Sequence, residues 1–337
     1  MQDTEKLLLK NASYSKIDKY KQCPFAYNLN YNEHINPYSQ NIATVFGKAI
    51  HAIEEAIAND IIAGREINYV KYKNNFILEN YKIQYEYLTE YFNNAEKQYA
   101  EHAKEYLDER IYRLENFMKE HPTYKIVGAE VGFKDVAIEG VSFQGAIDRL
   151  LYDTATDSYI IHDIKSWPKP AKDEETKTPL QFLVYAEAVK KLYNADINKI
   201  TCFYDLPCCN MYQEVCTPGW IERGHEQLKK LFEKIENKNY DPTPSPLCNY
   251  CPYSKTNPDA RFDTKYLCPY YSIWLRETKT PSDANACEFY FSGYNNYLEI
   301  LQMSLDRSNI NMSAAEYAVL YNKNKEEEKL KKKNKIS

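Results

Sequence analysis

Between residues 124 and 165 apolar and polar positions alternate with a period close to two, and on either side apolar residues recur every three or four positions. The first pattern predicts strands over 124–138, 141–152 and 159–165. The second predicts a helix over 12–31 with Ile17, Tyr20, Cys23 and Tyr27 on one face, broken or restarted at Pro24. A further helix is expected over 42–63, where Val45, Phe46, Ala49, Ile50, Ile53 and Ile57 form the apolar stripe. Residues 68–120 are charged, tyrosine-rich and almost without Gly or Pro, which suits two or three inserted helices closed before His121-Pro122. After the strands come a helix at 179–193, strands at 199–206 and 211–216, and a helix at 219–237. A hairpin meander, a crossover helix and a further strand make an α/β (α+β) architecture, a mixed sheet flanked by helices.

These elements divide the chain into five stretches: N-terminal helices to residue 67, a helical insertion at 68–123, a sheet core at 124–245, a cysteine-bearing segment at 246–272 and an extension at 273–337. Tyr240-Asp-Pro-Thr-Pro-Ser-Pro246 is a stiff connector into Cys248. Residues 323–337 are almost entirely Lys, Glu and Asn, the composition of a solvated or disordered tail.

The net charge of -5 across 337 residues argues against wholesale adhesion to nucleic acid, so any such contact must use local basic surface. Tyrosine is abundant, at 32 residues, and suits core edges or a stacking surface for bases. Nine cysteines cannot all pair with one another. The first ten residues lack a secretory pattern and no apolar run is long enough to span a bilayer. A reducing cytoplasm is therefore expected, with clustered cysteines holding metal rather than forming disulfides.

Charge inside the apolar strands carries the chemistry. With a turn at 154–157, Asp148 falls opposite Asp163, and alternation puts Lys165 on the same face. Like charges opposed across a hairpin are destabilising, so a cation should sit between them. A divalent ion with an activated water fits two acids and a lysine at a strand end, and hard oxygen ligands select Mg²⁺ or Mn²⁺. The bland alternative is an edge strand carrying one Asp–Lys salt bridge, against which Ile147, Ile160, Ile161 and Ile164 argue by surrounding the acids. Gly47-x3-His51 lies on the second helix. His51 is either paired with Glu54 or Glu55 one turn on or an imidazole ligand, which would favour Mn²⁺. Glu130, on the first strand, either faces solvent or joins the site. Gln181 and Tyr185 share a helical face, yet Thr178-Pro179-Leu180-Gln181 also reads as a capping box. Cys248-x2-Cys251, Cys268-Pro269 and the distant Cys23-Pro24 form a possible four-thiolate site for zinc or an iron–sulfur cluster. Cys202, Cys208, Cys209, Cys216 and Cys287 read as packing or surface residues, with Cys216 and Cys287 as substitute ligands.

Taken together and in order, Ser13-x-Ser15-x-Ile17-x2-Tyr20-x2-Cys23-Pro24, Gly47-x3-His51, Gly145-Ala-Ile-Asp148, Asp163-Ile-Lys165, Gln181-x3-Tyr185 and the cysteines 248, 251 and 268 resemble the RecB-like nuclease family of the PD-(D/E)xK superfamily. The closer likeness is to CRISPR-associated and phage exonucleases with a split cysteine cluster. The resemblance spans residues 13 to 270 and departs from the family pattern at 252–267, which widens the gap between the last two cysteines. It implies a restriction-endonuclease-like core in which Asp148, Asp163, His51 and the Ile164 carbonyl hold the metal. Lys165 becomes the catalytic lysine, supported by Gln181 and Tyr185 with Glu130 nearby. The four cysteines become ligands of a structural 4Fe-4S cluster. The implied activity is a DNA exonuclease working on single strands or ends in recombination, repair or phage DNA processing. A structure-specific endonuclease, a DNA- or partner-binding subunit, and an electron-transfer protein are the competing readings. A protein partner could dock on 68–123 or on the extension.

Overall fold

The computed structural model describes residues 12–35, 42–75, 109–166, 169–172, 176–243 and 245–254, together with 257, 264, 267, 268 and 311. The expected charged tail, Cys287, most of the 273–337 extension, the centre of the helical insertion and Trp167-Pro168 lie outside the described residues.

Five strands form one mixed sheet in the order β1-β2-β3-β4-β5: β1 is Tyr124–Ile138, β2 Val141–Asp153, β3 Ser158–Ile164, β4 Ile200–Leu206 and β5 Met211–Glu214. The hairpin register is the one the period-two pattern demands, with Arg149 opposite His162, Leu150 opposite Ile161 and Asp153 opposite Ser158. The turn between them is held by Asp153, whose carboxylate accepts from the Ala155 N–H at 3.0 Å and the Thr156 hydroxyl at 2.5 Å. β3 then pairs in parallel with β4, and the crossover is helix α5, Leu180–Tyr193. That helix buries Leu180, Phe182, Leu183, Val184, Ala186, Ala188 and Val189 around most of its circumference, as a crossover covered on both sides must. Asn194, at φ 51°, ends it in the left-handed conformation that asparagine tolerates.

β3 is thus the middle strand. The edge-strand alternative for the Asp–Lys pair is overturned by topology. On one side of the sheet, helix α3 (Ile42–Ile62) packs Phe46, Ile50, Ile53 and Ile57 with Ile111 and Leu114 into a cluster that includes Ile164. Helix α4, Arg113–Glu120, ends before His121 as expected, and residues 69–75 are helical. Ala12 bridges to Phe143, filling the β2 edge that β3 leaves open. The last helix of the sheet region, α6, spans Trp220–Glu236. Among the described residues no helix is long and apolar enough to cross a membrane.

The chain separates into two compact units. Residues up to 14 and 40–233 form the sheet unit, and the described residues of 15–39 and from 234 onward form the second. In the second unit Pro24 restarts the helix as the sequence predicts: α1 runs Tyr14–Gln22, Cys23 leaves the helical conformation at ψ 107°, and α2 resumes at Pro24–Tyr27. Tyr20 and Tyr27 meet edge to face at 5.3 Å, and the Tyr20 hydroxyl donates to the Asn239 carbonyl at 2.6 Å. Part of the tyrosine excess is therefore packing within this unit.

Candidate metal centre and cysteine cavity

The paired ladder between β2 and β3 ends at Arg149–His162, one residue short of the two acids. Asp148 instead accepts the Ile164 backbone N–H at Oδ2, 2.7 Å away, which leaves Oδ1 facing His51. Across β1 and β2, the pairs Ala129–Arg149 and Val131–Ile147 bracket Glu130 and set it beside Asp148. Glu130 has φ 48°, a left-handed backbone that non-glycine residues adopt at a cost of about 1–3 kcal/mol and that gathers at functional sites. Three carboxylates on three adjacent strands therefore lie in one row.

His51 joins them from α3. Its Nδ1 lies 3.7 Å from Asp148 Oδ1 and 3.9 Å from Glu130 Oε1, and one donor atom from each of the three residues falls within 4.8 Å of the others. Of the two alternatives for His51, pairing with Glu54 or Glu55 is not found among the described ion pairs; Glu54 binds Arg149 instead. Gly47, one turn before His51, has Ser166 Oγ 3.4 Å from where a Cβ would stand, so its bare backbone faces that side chain in ordinary contact. Gly145, by contrast, could not carry a side chain in place, because a Cβ would come within 2.8 Å of the Phe133 ring.

Asp163 is 1% exposed and occupied otherwise. Lys165 Nζ lies 2.7 Å from its Oδ2, and the Gln181 amide donates to its Oδ1 at 2.9 Å. The same amide donates to the Tyr185 hydroxyl at 2.9 Å, while its carbonyl accepts from Lys165 Nζ at 3.1 Å. Gln181 thus bridges acid, lysine and tyrosine. The capping-box reading is corrected: Pro179 occupies the cap position with no side-chain cap bond, and the Thr178 hydroxyl accepts from Arg223 instead. Tertiary partners outbid the local cap.

Burial, then the Asp163 charge, pushes the Asp148 carboxyl up to about 7. Burial works against the His51 imidazolium, but Glu130, Asp148 and Asp163 outweigh it and hold its pKa above the ordinary value. Burial and the charges of Asp163 and Asp148 also keep Tyr185 protonated. Two carboxylates and an imidazole whose donor atoms lie within 4.8 Å of one another, with Asp163 adding its charge nearby, make a donor set that fits a divalent cation. Of the ligands the family likeness implies, His51 and Asp148 converge with Glu130, whereas Asp163 is engaged by Lys165 and Gln181. The Ile164 N–H binds Asp148.

In the second unit, Cys23, Cys248, Cys251 and Cys268 all line one cavity of about 140 Å³, with Lys19, Leu247 and Tyr250 on its wall. Cys248 lies within the single helical turn Pro246–Tyr250 and Cys251 caps its end, while the Ser245 side chain caps its start. Cys268 is drawn in by its N–H to the Tyr253 carbonyl at 2.9 Å, so the long 252–267 interval closes. Cys216 is absent from this lining. No disulfide joins the described cysteines. Burial pushes the Cys251 thiol up to about 12 and raises Cys23 and Cys248 as well. Thiols raised in this way ionise more readily when a bound metal takes the thiolate charge, and by lining one cavity the four cysteines are the candidate ligands of such a group.

Sequence reasoning missed a second set of charges behind the carboxylates: Arg149, Arg113, Glu54, Asp205 and His162, all between 0% and 5% exposed. The available signal was an arginine and an aspartate set in apolar strand runs, at Arg149 and Asp205.

The family model for the PD-(D/E)XK nuclease superfamily matches residues 11–256. No curated protein matches the chain. Among solved structures, a protein from Eubacterium rectale provisionally designated an exonuclease is similar at 11% identity and a TM-score of 0.44, covering 75% of this chain and 91% of its own.

Proposed function

Since this chain belongs to the PD-(D/E)XK nuclease superfamily, whose members use divalent metals, we propose that it is a metal-dependent DNA exonuclease acting on single strands or free ends. The observation that carries the reading is the convergence of His51, Glu130 and Asp148 beside a lysine held by Asp163 and Gln181.

His51, Glu130 and Asp148 would hold the cation, and the imidazole among them favours Mn²⁺ over Mg²⁺. When bound, the ion supplies Lewis acidity toward a phosphodiester and toward water. Asp163 serves this centre from alongside, by fixing Lys165. Lys165 presents its ammonium at the strand end, where it stabilises negative charge developing on the phosphate. Gln181 prevents the lysine from swinging onto Asp148, since one amide holds both Lys165 and Asp163. Tyr185, kept protonated, anchors that amide. A 4Fe-4S cluster on Cys23, Cys248, Cys251 and Cys268 is the structural group proposed for the cavity, with zinc the alternative. It would staple segments more than 200 residues apart. A cytoplasmic setting in recombination, repair or phage DNA processing suits reduced thiols of this kind.

End-labelled single-stranded and duplex DNA, incubated with Mn²⁺ or Mg²⁺, tests the reading. Wild type should give a ladder from one end that Asp163→Ala abolishes. Cleavage of a covalently closed circle would replace the exonuclease with an endonuclease. A folded protein inert with both metals would leave only a binding role. Visible absorption of anaerobically purified protein separates iron–sulfur from zinc.

A further inference from the structure

Behind the carboxylates, one guanidinium touches the supports of the whole centre. Arg149 directly follows Asp148. Its Nη2 donates to Glu54 Oε2 at 2.7 Å, and Glu54 stands one turn from His51 on α3. Its Nη1 donates to Asp205 Oδ2 at 2.7 Å, and the Asp205 backbone carbonyl accepts the Lys165 N–H at 2.7 Å. The same Nη1 lies 3.4 Å from Nδ1 of His162, the residue before Asp163. Arg149, Glu54, Asp205 and His162 are each no more than 1% exposed. Arg113 balances the charge: it pairs with Asp205, has Nη1 3.9 Å from Glu54 Oε1 and lies 4.0 Å over the Tyr212 ring, but unlike Arg149 it adjoins no residue of the centre along the chain.

Two arginines against two carboxylates leave this layer neutral. It therefore adds no field that would attract substrate, and its burial costs desolvation that an apolar core would avoid. What a planar five-donor fork supplies is fixed geometry between α3, β2 and β4. The geometry points to Arg149 as a positioning residue that sets the spacing of His51 against Asp148, and so the affinity of the centre for its divalent ion. This rests on the metal-dependent reading above. Residues that orient metal ligands without touching the metal commonly change affinity about 10- to 100-fold when altered.

A lysine at this position keeps the charge but reaches only one of the two carboxylates. Mn²⁺ binding to the full-length protein, measured by calorimetry, should weaken about tenfold in Arg149→Lys, with cleavage at saturating Mn²⁺ largely restored. Glu54→Gln is isosteric and cuts the same link from the α3 side, so it should weaken binding similarly and carries the test if the lysine variant does not fold. Arg113→Lys should lower the melting temperature comparably yet leave Mn²⁺ affinity within about threefold, because Arg113 meets Glu54 only at 3.9 Å and adjoins no ligand along the chain. Wild-type affinity in Glu54→Gln, or an equal loss in Arg113→Lys, would overturn the assignment and leave a purely structural ion network. A wild type that binds no Mn²⁺ would overturn the nuclease reading itself.

Discussion

The carboxylate centre and the cysteine cavity are built by opposite means. The centre sits on the middle of a five-stranded sheet, with its charges paired, its lysine held at two points and a buried ion network behind it. The cysteine cavity hangs on one helical turn, a helix break and isolated loop contacts, and its thiols are driven toward neutrality by burial. In the first case the fold organises the metal ligands. In the second, a metal group would organise the fold. The difference follows from secondary structure: strands supply a rigid periodic lattice on which acids can be opposed, whereas a short turn cannot hold four sulfurs without something for them to bind.

The contrast breaks most sharply if metal is withdrawn from the cysteines. Metal binding contributes on the order of 10 kcal/mol to small thiolate-held folds. Cys251→Ser should therefore render the 234–268 region protease-sensitive and bleach any visible absorption, while calorimetric Mn²⁺ binding at the carboxylates persists. Loss of both together would mean that the two sites share one scaffold. The next largest effect should be Arg149→Met, which leaves Glu54 and Asp205 buried without their partner. Denaturant unfolding should report a loss of about 3–5 kcal/mol, whereas a neutral result would mean that the network relaxes around an apolar side chain.

A smaller effect tests the crowding of negative charge at the carboxylate centre. Asp148 and His51 have raised pKa values, so the metal-free fold binds extra protons and loses their contribution as pH climbs through about 7. Metal must displace those protons. Apparent Mn²⁺ affinity should thus rise with pH, by up to about tenfold per unit for each proton displaced, and flatten once both groups have lost theirs. Asp148→Asn should weaken binding and remove most of that slope; an unchanged slope would place the proton elsewhere. The smallest change is Gly47→Ala, which meets only Ser166 Oγ at 3.4 Å and should alter stability by less than about 1 kcal/mol. Lost cleavage in a stable Gly47→Ala protein would show that substrate, not packing, needs the space.

Legibility in the sequence followed the range of the interaction. The hairpin register, the break at Pro24 and the crossover helix obey local periods and are set by neighbours. Gln181 shows the limit of such reasoning: its spacing from Thr178 satisfies a cap, but partners at Asp163 and Lys165 offer better bonds. The Arg149 network was invisible because its contacts cross 95 and 56 residues, and no local rule pairs Glu54 or Asp205 with an arginine so distant. Cys248-x2-Cys251 announces itself; the distant Cys23 was picked out by the Cys-Pro step it shares with Cys268, and it lines the same cavity.

The account stands on Lys165 acting in the chemistry without holding the cation. Lys165→Met should bind Mn²⁺ at least as tightly as wild type by calorimetry, since it removes a positive charge beside the carboxylates, and should cleave end-labelled DNA at least a hundredfold more slowly. A variant that cleaves at the wild-type rate, or that loses Mn²⁺ binding along with cleavage, would contradict it.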